Sequence, residues 1–126
     1  MKVSFTTITV RDLEKSVKFY TEIIKLKEIR RFSPQKGINI VFLEDEENGR
    51  IELIEYEQKK VKEASDWDSK VSIGFSVDST EDCIKMLEEN DIKIIRGPIQ
   101  TPDGQKFLFI SDPNDVEIEL IQGFSL

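Results

Sequence analysis

The first half of the chain alternates apolar and polar residues in short runs that are typical of strands around one helix. Residues 3–10 alternate with the period of two of a half-buried strand. Asp12 is a suitable N-cap for a helix whose apolar positions recur at helical spacing, at Leu13, Val17, Tyr20 and Ile24. Further strands are predicted near residues 28–32, 38–44 and 50–56, with turns at 34–37 and at Asn48 and Gly49. The predicted order of elements is therefore βαβββ.

The second half predicts the same order. Residues 71–77 alternate, Ser79 is a suitable N-cap, and Asn90 is a suitable helix end. Cys83 lies on the apolar face of this helix, where we expect a buried and inert thiol. Strands are predicted near 92–96, 105–111 and 116–122.

An internal repeat relates the two halves. A shift of 67 positions carries residues 51–54 onto 118–121, both of which read IELI. The same shift pairs Val10 with Val77, Glu14 with Glu81, Gly37 with Gly104, Phe42 with Phe109, and Asp45 with Asp112. Repeats of this kind determine the architecture. We predict one α+β domain of two tandem βαβββ modules, about 1–57 and 70–126, joined by a polar connector of about 58–69.

Two such modules can pair their sheets edge to edge into a curved mixed-sheet cup with the helices outside. Alternation places Ile51 and Leu53 on the helix side of their strand and Glu52 in the cup, and Glu119 follows by the repeat. The predicted ligand-binding residues are Phe5, Thr7, Glu52, Tyr56, Trp67, Ser72, Ser76 and Glu119. The alternative is that the glutamates are solvated, that Phe5 and Tyr56 only pack, and that Trp67 anchors the connector. Two carboxylates in one cup must bind a cation, share a proton or stay hydrated.

Composition excludes several classes of chemistry. The 126-residue chain has no histidine, which removes Ser-His-Asp and Cys-His catalysis and every His-ligated metal site. Its net charge of −7 disfavours nucleic acid and anionic membranes as partners. Cys83 is the single cysteine and cannot form an intrachain disulfide, so a cytoplasmic location is expected.

Three segments resemble those of the vicinal oxygen chelate superfamily, and in particular the small glyoxalase I, bleomycin-resistance and dioxygenase proteins. They are VRDLEKSVKFY at 10–20, IEL at 51–53 and DPNDVEIEL at 112–120. The resemblance covers essentially the whole chain and implies the paired βαβββ fold. It also implies a homodimer, because such proteins often dimerise.

The resemblance further implies where a metal would be held in metal-dependent relatives. Each module there gives a first-strand ligand, often histidine, and a glutamate from its last strand. These positions fall on Phe5 and Glu52 in one module and on Ser72 and Glu119 in the other. Only the two carboxylates can ligate well, so we expect no cofactor, with weak Mg²⁺ or Mn²⁺ binding as the alternative.

Three functions remain open from the sequence. The first is a metal-free protein of the bleomycin-resistance type that sequesters a cationic or aromatic small molecule. The second is a lyase or isomerase of the glyoxalase type, in which Glu52 or Glu119 is the catalytic base with a weakly bound divalent metal. The third is a dimeric interaction protein without a ligand.

Overall fold

A computed structural model describes residues 3–57 and 71–124 of the chain. The chain divides into two compact units, Met1–Asp66 and Trp67–Leu126, called unit 1 and unit 2 below. Each unit contains one four-stranded sheet of mixed direction and one helical segment packed on it.

Unit 1 has the predicted βαβββ order. Its sheet is ordered β1-β4-β3-β2, with β1 parallel to β4 and the other pairs antiparallel. The elements are β1 (Thr6–Val10), α1 (Leu13–Lys18), a π-helical turn (Phe19–Ile23), β2 (Lys27–Gln35), β3 (Ile38–Glu44) and β4 (Arg50–Tyr56). The parallel β1–β4 pair is possible because the helical segment crosses over between strands.

Unit 2 repeats this topology. Its sheet is ordered β5-β8-β7-β6, with β5 parallel to β8. The elements are β5 (Ser72–Val77), α2 (Thr80–Glu89), β6 (Arg96–Gln100), β7 (Lys106–Ser111) and β8 (Glu117–Gln122). The α+β fold class with two repeated modules is therefore confirmed.

The helix caps predicted from sequence are also confirmed. The Asp12 carboxylate accepts a hydrogen bond from the Lys15 backbone N–H, and the Ser79 hydroxyl accepts one from that of Asp82. Asn90 is the C-cap of α2. Both helices thus begin where a short polar side chain satisfies an otherwise unpaired N–H group.

Several predicted boundaries were wrong at the outer strands. The strand expected near 92–96 is β6 at Arg96–Gln100, because the Ile92 N–H still bonds the Leu87 carbonyl and extends the end of α2. The strand expected at 28–32 runs on to Gln35, since a register irregularity between Phe32 and Gln35 absorbs the proline that suggested a turn. The first strand begins at Thr6 rather than residue 3.

The core of each unit lies between its sheet and its helical segment. Leu53 and Val41 are fully buried in unit 1, as are Ile118 and Leu108 in unit 2. Tyr20 is fully buried, as predicted for a residue of the helical apolar stripe. Burial of alternate strand positions leaves the polar residues on the opposite face of each sheet.

Candidate functional site

The face of each sheet that points away from its helix is called the helix-distal face. In unit 1 one row of register partners crosses this face. Thr7 pairs with Glu52, Glu52 with Phe42, and Phe42 with Arg30. Register partners point to the same side of a sheet, so the four side chains form a continuous strip.

Glu52 is the half-buried carboxylate of the unit 1 row. Its Oε1 accepts a hydrogen bond of 2.9 Å from the Thr7 hydroxyl. On its other side Phe42 meets Phe5 edge to face, with ring centroids 5.4 Å apart, and lies parallel to Phe32 at 6.4 Å. The carboxylate therefore has a hydroxyl donor on one side and, on the other, Phe42, which belongs to a cluster of three phenyl rings.

Arg30 completes the unit 1 row. Its guanidinium carbon lies 4.3 Å from the centre of the Phe32 ring, which is cation–π geometry. Nearer the end of the face, Arg50 forms an ion pair with Glu44 at 2.8 Å. The acidic groups of this face thus have a donor or a cation beside them.

The corresponding row of unit 2 consists of Gly74, Glu119, Phe109 and Arg96, again as successive register partners. Phe109 meets Phe107 edge to face at 5.8 Å. The Arg96 guanidinium lies 4.3 Å from the centre of the Phe109 ring and is ion-paired with Glu117. The two units therefore present the same sequence of a carboxylate, a phenyl ring and a guanidinium.

Glu119 differs from Glu52 in its neighbours. It is half-buried, yet it has no hydrogen-bond or ion-pair partner within residues 3–57 and 71–124. Across from it lies Gly74, where an added Cβ would meet nothing within 4 Å. The space beside this carboxylate is open where unit 1 holds the Thr7 hydroxyl.

The other sequence-predicted site residues occupy more varied positions. Phe5 is 47 % exposed and precedes β1, while Tyr56 ends β4 and is half-buried. Ser72 and Ser76 are exposed on β5, opposite Glu117 and Ile121 rather than Glu119. Trp67 lies outside the described residues. The proximity of Glu52 to Glu119 and the ligand-contacting role of all these residues stay predictions.

The donor set around either glutamate fits a metal poorly. The residues directly across the parallel strand pair are Thr7 and Gly74, and neither offers a nitrogen or an ionised oxygen. Within the part of the chain that the structure describes, no three His, Cys, Asp or Glu side chains converge as a ligand set. A divalent ion at Glu52 or Glu119 would depend largely on water for its coordination.

A cleft of about 280 Å³ lies beside α1 in unit 1, away from Glu52. Its lining residues are Asp12, Leu13, Glu14, Arg31, Phe32, Ser33, Asn39 and Glu55. Glu55 accepts hydrogen bonds from the Leu13 N–H at 2.8 Å and the Asn39 amide at 3.2 Å. Hydrogen bonds to Glu14 and Glu28 raise the pKa of the Arg31 guanidinium. These polar groups bind one another, so the cleft is a structural junction between α1 and the sheet.

The predicted site lacked five residues of the two rows, one of which is Gly74, across from Glu119. Phe42 and Phe109 were paired by the repeat, and Arg30 and Arg96 lie on the outer strands whose boundaries were misplaced. For Phe42 and Phe109 the repeat contained the necessary signal. Each precedes its repeat-matched glutamate in a hairpin whose strands are separated by five residues, and this spacing places the phenylalanine and the glutamate on the same face of the sheet. The arginines have no equivalent signal, since irregular pairing shifts their register.

Comparisons with known proteins establish the family. The sequence profile of the Glyoxalase/Bleomycin resistance protein/Dioxygenase superfamily matches residues 2–120. The chain belongs to this superfamily, as its three sequence segments suggested. Among curated proteins, no sequence matches the chain. No helix within the described residues is long and apolar enough to cross a membrane.

Solved structures share the fold over nearly the whole chain. A glyoxalase family protein from Bacillus cereus is 14% identical, with a TM-score of 0.82 over 97% of this chain and 93% of that one. TnmS3, an antibiotic-binding protein from Streptomyces sp. CB03234, is 20% identical, with a TM-score of 0.75 over 97% and 95%. The trypanothione-dependent glyoxalase I of Leishmania major is 25% identical, with a TM-score of 0.79 over 97% and 86%.

Proposed function

We propose that this chain is a small-molecule-binding protein that holds an aromatic ligand on its helix-distal faces without a metal ion. The observation that carries this proposal is that the two glutamates matched by the repeat, Glu52 and Glu119, each have a phenyl ring beside them and no metal-ligating nitrogen. A ring beside a carboxylate suits a flat ligand that bears a positive charge. Sequestration of such a ligand is the role that follows.

The aromatic surface supports this proposal more directly than the net charge does. Phe5, Phe32 and Phe42 form a contiguous cluster in unit 1, and Phe107 and Phe109 form one in unit 2. Pockets that bind small organic molecules likewise combine aromatic side chains with a small number of polar groups. The antibiotic-binding protein TnmS3 shows that this fold supports a binding role in another chain.

Equilibrium dialysis with three anthracenes tests the proposal, because they share one ring system and differ in charge. They are 9-(aminomethyl)anthracene, 9-anthracenemethanol and 9-anthracenecarboxylate. We expect the wild-type chain to bind the amine most tightly. Phe42→Ala and Phe109→Ala should weaken all three probes, whereas the control Phe124→Ala, an exposed ring outside both rows, should not. Failure of every probe to bind would refute the proposal.

A second candidate is a lyase or isomerase in which Glu52 or Glu119 acts with weakly bound Mg²⁺ or Mn²⁺. It is supported by the retention of both carboxylates, half-buried, at the positions the family resemblance indicates. Electron paramagnetic resonance of Mn²⁺ mixed with the chain tests it. A bound signal that Glu52→Gln and Glu119→Gln both remove would favour this candidate, and an unchanged free-ion spectrum would count against it.

We also propose that the chain forms a homodimer in the cytoplasm. Exposed isoleucines on or beside the outer strands of both sheets support association, namely Ile29, Ile95 and Ile99, which are 43%, 49% and 42% exposed. Burial of such side chains contributes about 25 cal/mol per Å² of apolar area. Light scattering after gel filtration tests it, and a monomer mass at micromolar concentration would contradict the dimer.

A further inference from the structure

The two glutamates matched by the repeat, Glu52 and Glu119, occupy equivalent register positions but differ in their hydrogen-bond partners. Glu52 is engaged by the Thr7 hydroxyl at 2.9 Å, across the parallel β1–β4 pair. Glu119 occupies the same place in the β5–β8 pair, but its partner there is Gly74, which offers no side chain. A carboxylate that is half-buried without a donor beside it gains more from a ligand donor than one already hydrogen-bonded.

The charges around Glu119 reinforce this difference. Arg96 is the cation of the same row, but it is ion-paired with Glu117 and lies over the Phe109 ring. Its ion pair is thus with Glu117 and not with Glu119. In unit 1 the situation is reversed, because Arg30 has no carboxylate partner within the described residues, while Glu52 and Glu44 each have a donor.

We propose that Glu119 is the carboxylate that binds the protonated amine of an aromatic ligand, and that Gly74 determines this specificity because it places no competing hydrogen-bond donor beside that carboxylate. The inference rests on the proposed binding function and assigns its charge recognition to unit 2. The ring of the ligand lies against Phe109 and its ammonium group donates to Glu119. Glu52, held by Thr7, contributes to the face without recognising the charge.

Gly74 allows a direct test because it tolerates a side chain. The φ angle of Gly74 is not positive, and a Cβ added there meets no atom within 4 Å. A threonine at this position therefore introduces no strain. Gly74→Thr should reproduce the Thr7 hydrogen bond of unit 1 and engage Glu119. Gly74→Val has nearly the same shape without the hydroxyl donor and is the matched control.

The readout is the dissociation constant of 9-(aminomethyl)anthracene relative to that of 9-anthracenemethanol. We expect Gly74→Thr to weaken the amine about 10-fold while leaving the alcohol within about twofold, the size of one charged hydrogen bond. Gly74→Val should change both probes alike. Glu119→Gln should abolish the preference for the amine, Glu52→Gln should leave it intact, and Thr7→Gly, which frees Glu52, should not reduce it.

A double variant makes the assignment independent of folding effects. If Gly74→Thr acts through Glu119, it should have no further effect on the amine in the Glu119→Gln background. Equal losses in both backgrounds, or loss of the preference in Glu52→Gln alone, would overturn the inference while the aromatic binding proposed above still stands. If the wild-type chain binds none of the anthracenes, both the proposed function and this inference fail.

Discussion

Unit 1 and unit 2 share a backbone plan but differ in the side chains that complete it. In both, the first strand pairs in parallel with the last, and the N–H at the start of the helix bonds a side chain from that last strand. Glu55 accepts from Leu13 in unit 1, and Gln122 accepts from Thr80 in unit 2, at positions related by the repeat. The repeated sequence thus keeps the contacts that define its topology, while the residue across from its helix-distal glutamate differs, Thr7 in unit 1 and Gly74 in unit 2.

The turns after β3 and β7 show the same principle. Asp45 accepts hydrogen bonds from the N–H groups two and four residues later, at 2.8 and 2.7 Å, and Asp112 does so at 2.7 and 2.8 Å. Asn48 and Asp115 both adopt positive φ, at 67° and 64°. The geometry is shared, but Asp45 is exposed whereas Asp112 is 4% exposed. The hydrogen bonds to these two N–H groups should therefore contribute more to the free energy of unfolding at the buried Asp112 than at the exposed Asp45.

The largest expected effect is in the two cores, where the units should behave alike. Leu53→Ala and Leu120→Ala change repeat-related side chains that are 0% and 3% exposed. Each should lower the free energy of unfolding by about 2–5 kcal/mol, because each leaves a cavity in a packed core. Urea unfolding checks this. A loss below about 1 kcal/mol in either variant would show that the two cores are not equivalent.

The turns at Asp45 and Asp112 should contribute unequally to stability, because only Asp112 is buried. Asp112→Ala should cost about 2–3 kcal/mol of unfolding free energy, since it leaves buried N–H groups without an acceptor. Asp45→Ala should cost about 1 kcal/mol or less, because water reaches its turn. The same urea titration compares them, with Glu46→Ala as an exposed control in the same stretch. Equal costs for the two aspartates would contradict the burial argument.

The helix anchors should differ little between the units. Glu55→Gln keeps the acceptor that Leu13 uses and matches Gln122 of unit 2, so we expect a change below about 0.5 kcal/mol. Glu55→Ala and Gln122→Ala should each cost about 1 kcal/mol, as for loss of an N-cap acceptor. Thermal unfolding measures these changes. A large loss in Glu55→Gln would mean that its charge, rather than its oxygen, anchors α1.

The smallest effect concerns Cys83 in α2. Burial, with a smaller contribution from the Asp82 carboxylate, raises the pKa of this thiol. Less thiolate forms at a given pH, so alkylation by iodoacetamide at pH 8 should be slower in the folded chain than in urea. Asp82→Asn should speed the folded reaction modestly, because it lowers the pKa. The thiol is half-buried rather than fully buried as the apolar helix face suggested, and a folded rate equal to the unfolded one would contradict the argument.

Local signals predicted most of the fold. The caps at Asp12 and Ser79 located both helices, because capping depends on residues close together in sequence, and the IELI repeat related the two modules. The outer strands β2 and β6 were misplaced, since their pairing contains irregularities that no local pattern reveals. The π-helical turn at Phe19–Ile23 also gave no separate signal, because its apolar residues fit ordinary helical spacing.

The candidate site was predictable only in part. Alternation placed Glu52 and Glu119 on the face opposite the core, and the parallel register then determined which residue lies beside each. The first-strand residues expected from the family resemblance, Phe5 and Ser72, lie two positions before those partners. Only the register of the paired strands tells which of two residues on the same strand face lies across from the glutamate, and a single sequence specifies that register weakly. The strand register was therefore needed to show that Thr7 lies across from Glu52 and Gly74 across from Glu119.

The most direct test of the metal-free account is the binding of 9-(aminomethyl)anthracene to the wild-type chain in the presence of excess EDTA and, separately, of Mn²⁺. The account predicts the same dissociation constant within about twofold in both conditions, because the phenyl rings and carboxylates already present supply the contacts. Binding that disappears in EDTA and returns with Mn²⁺ would contradict it.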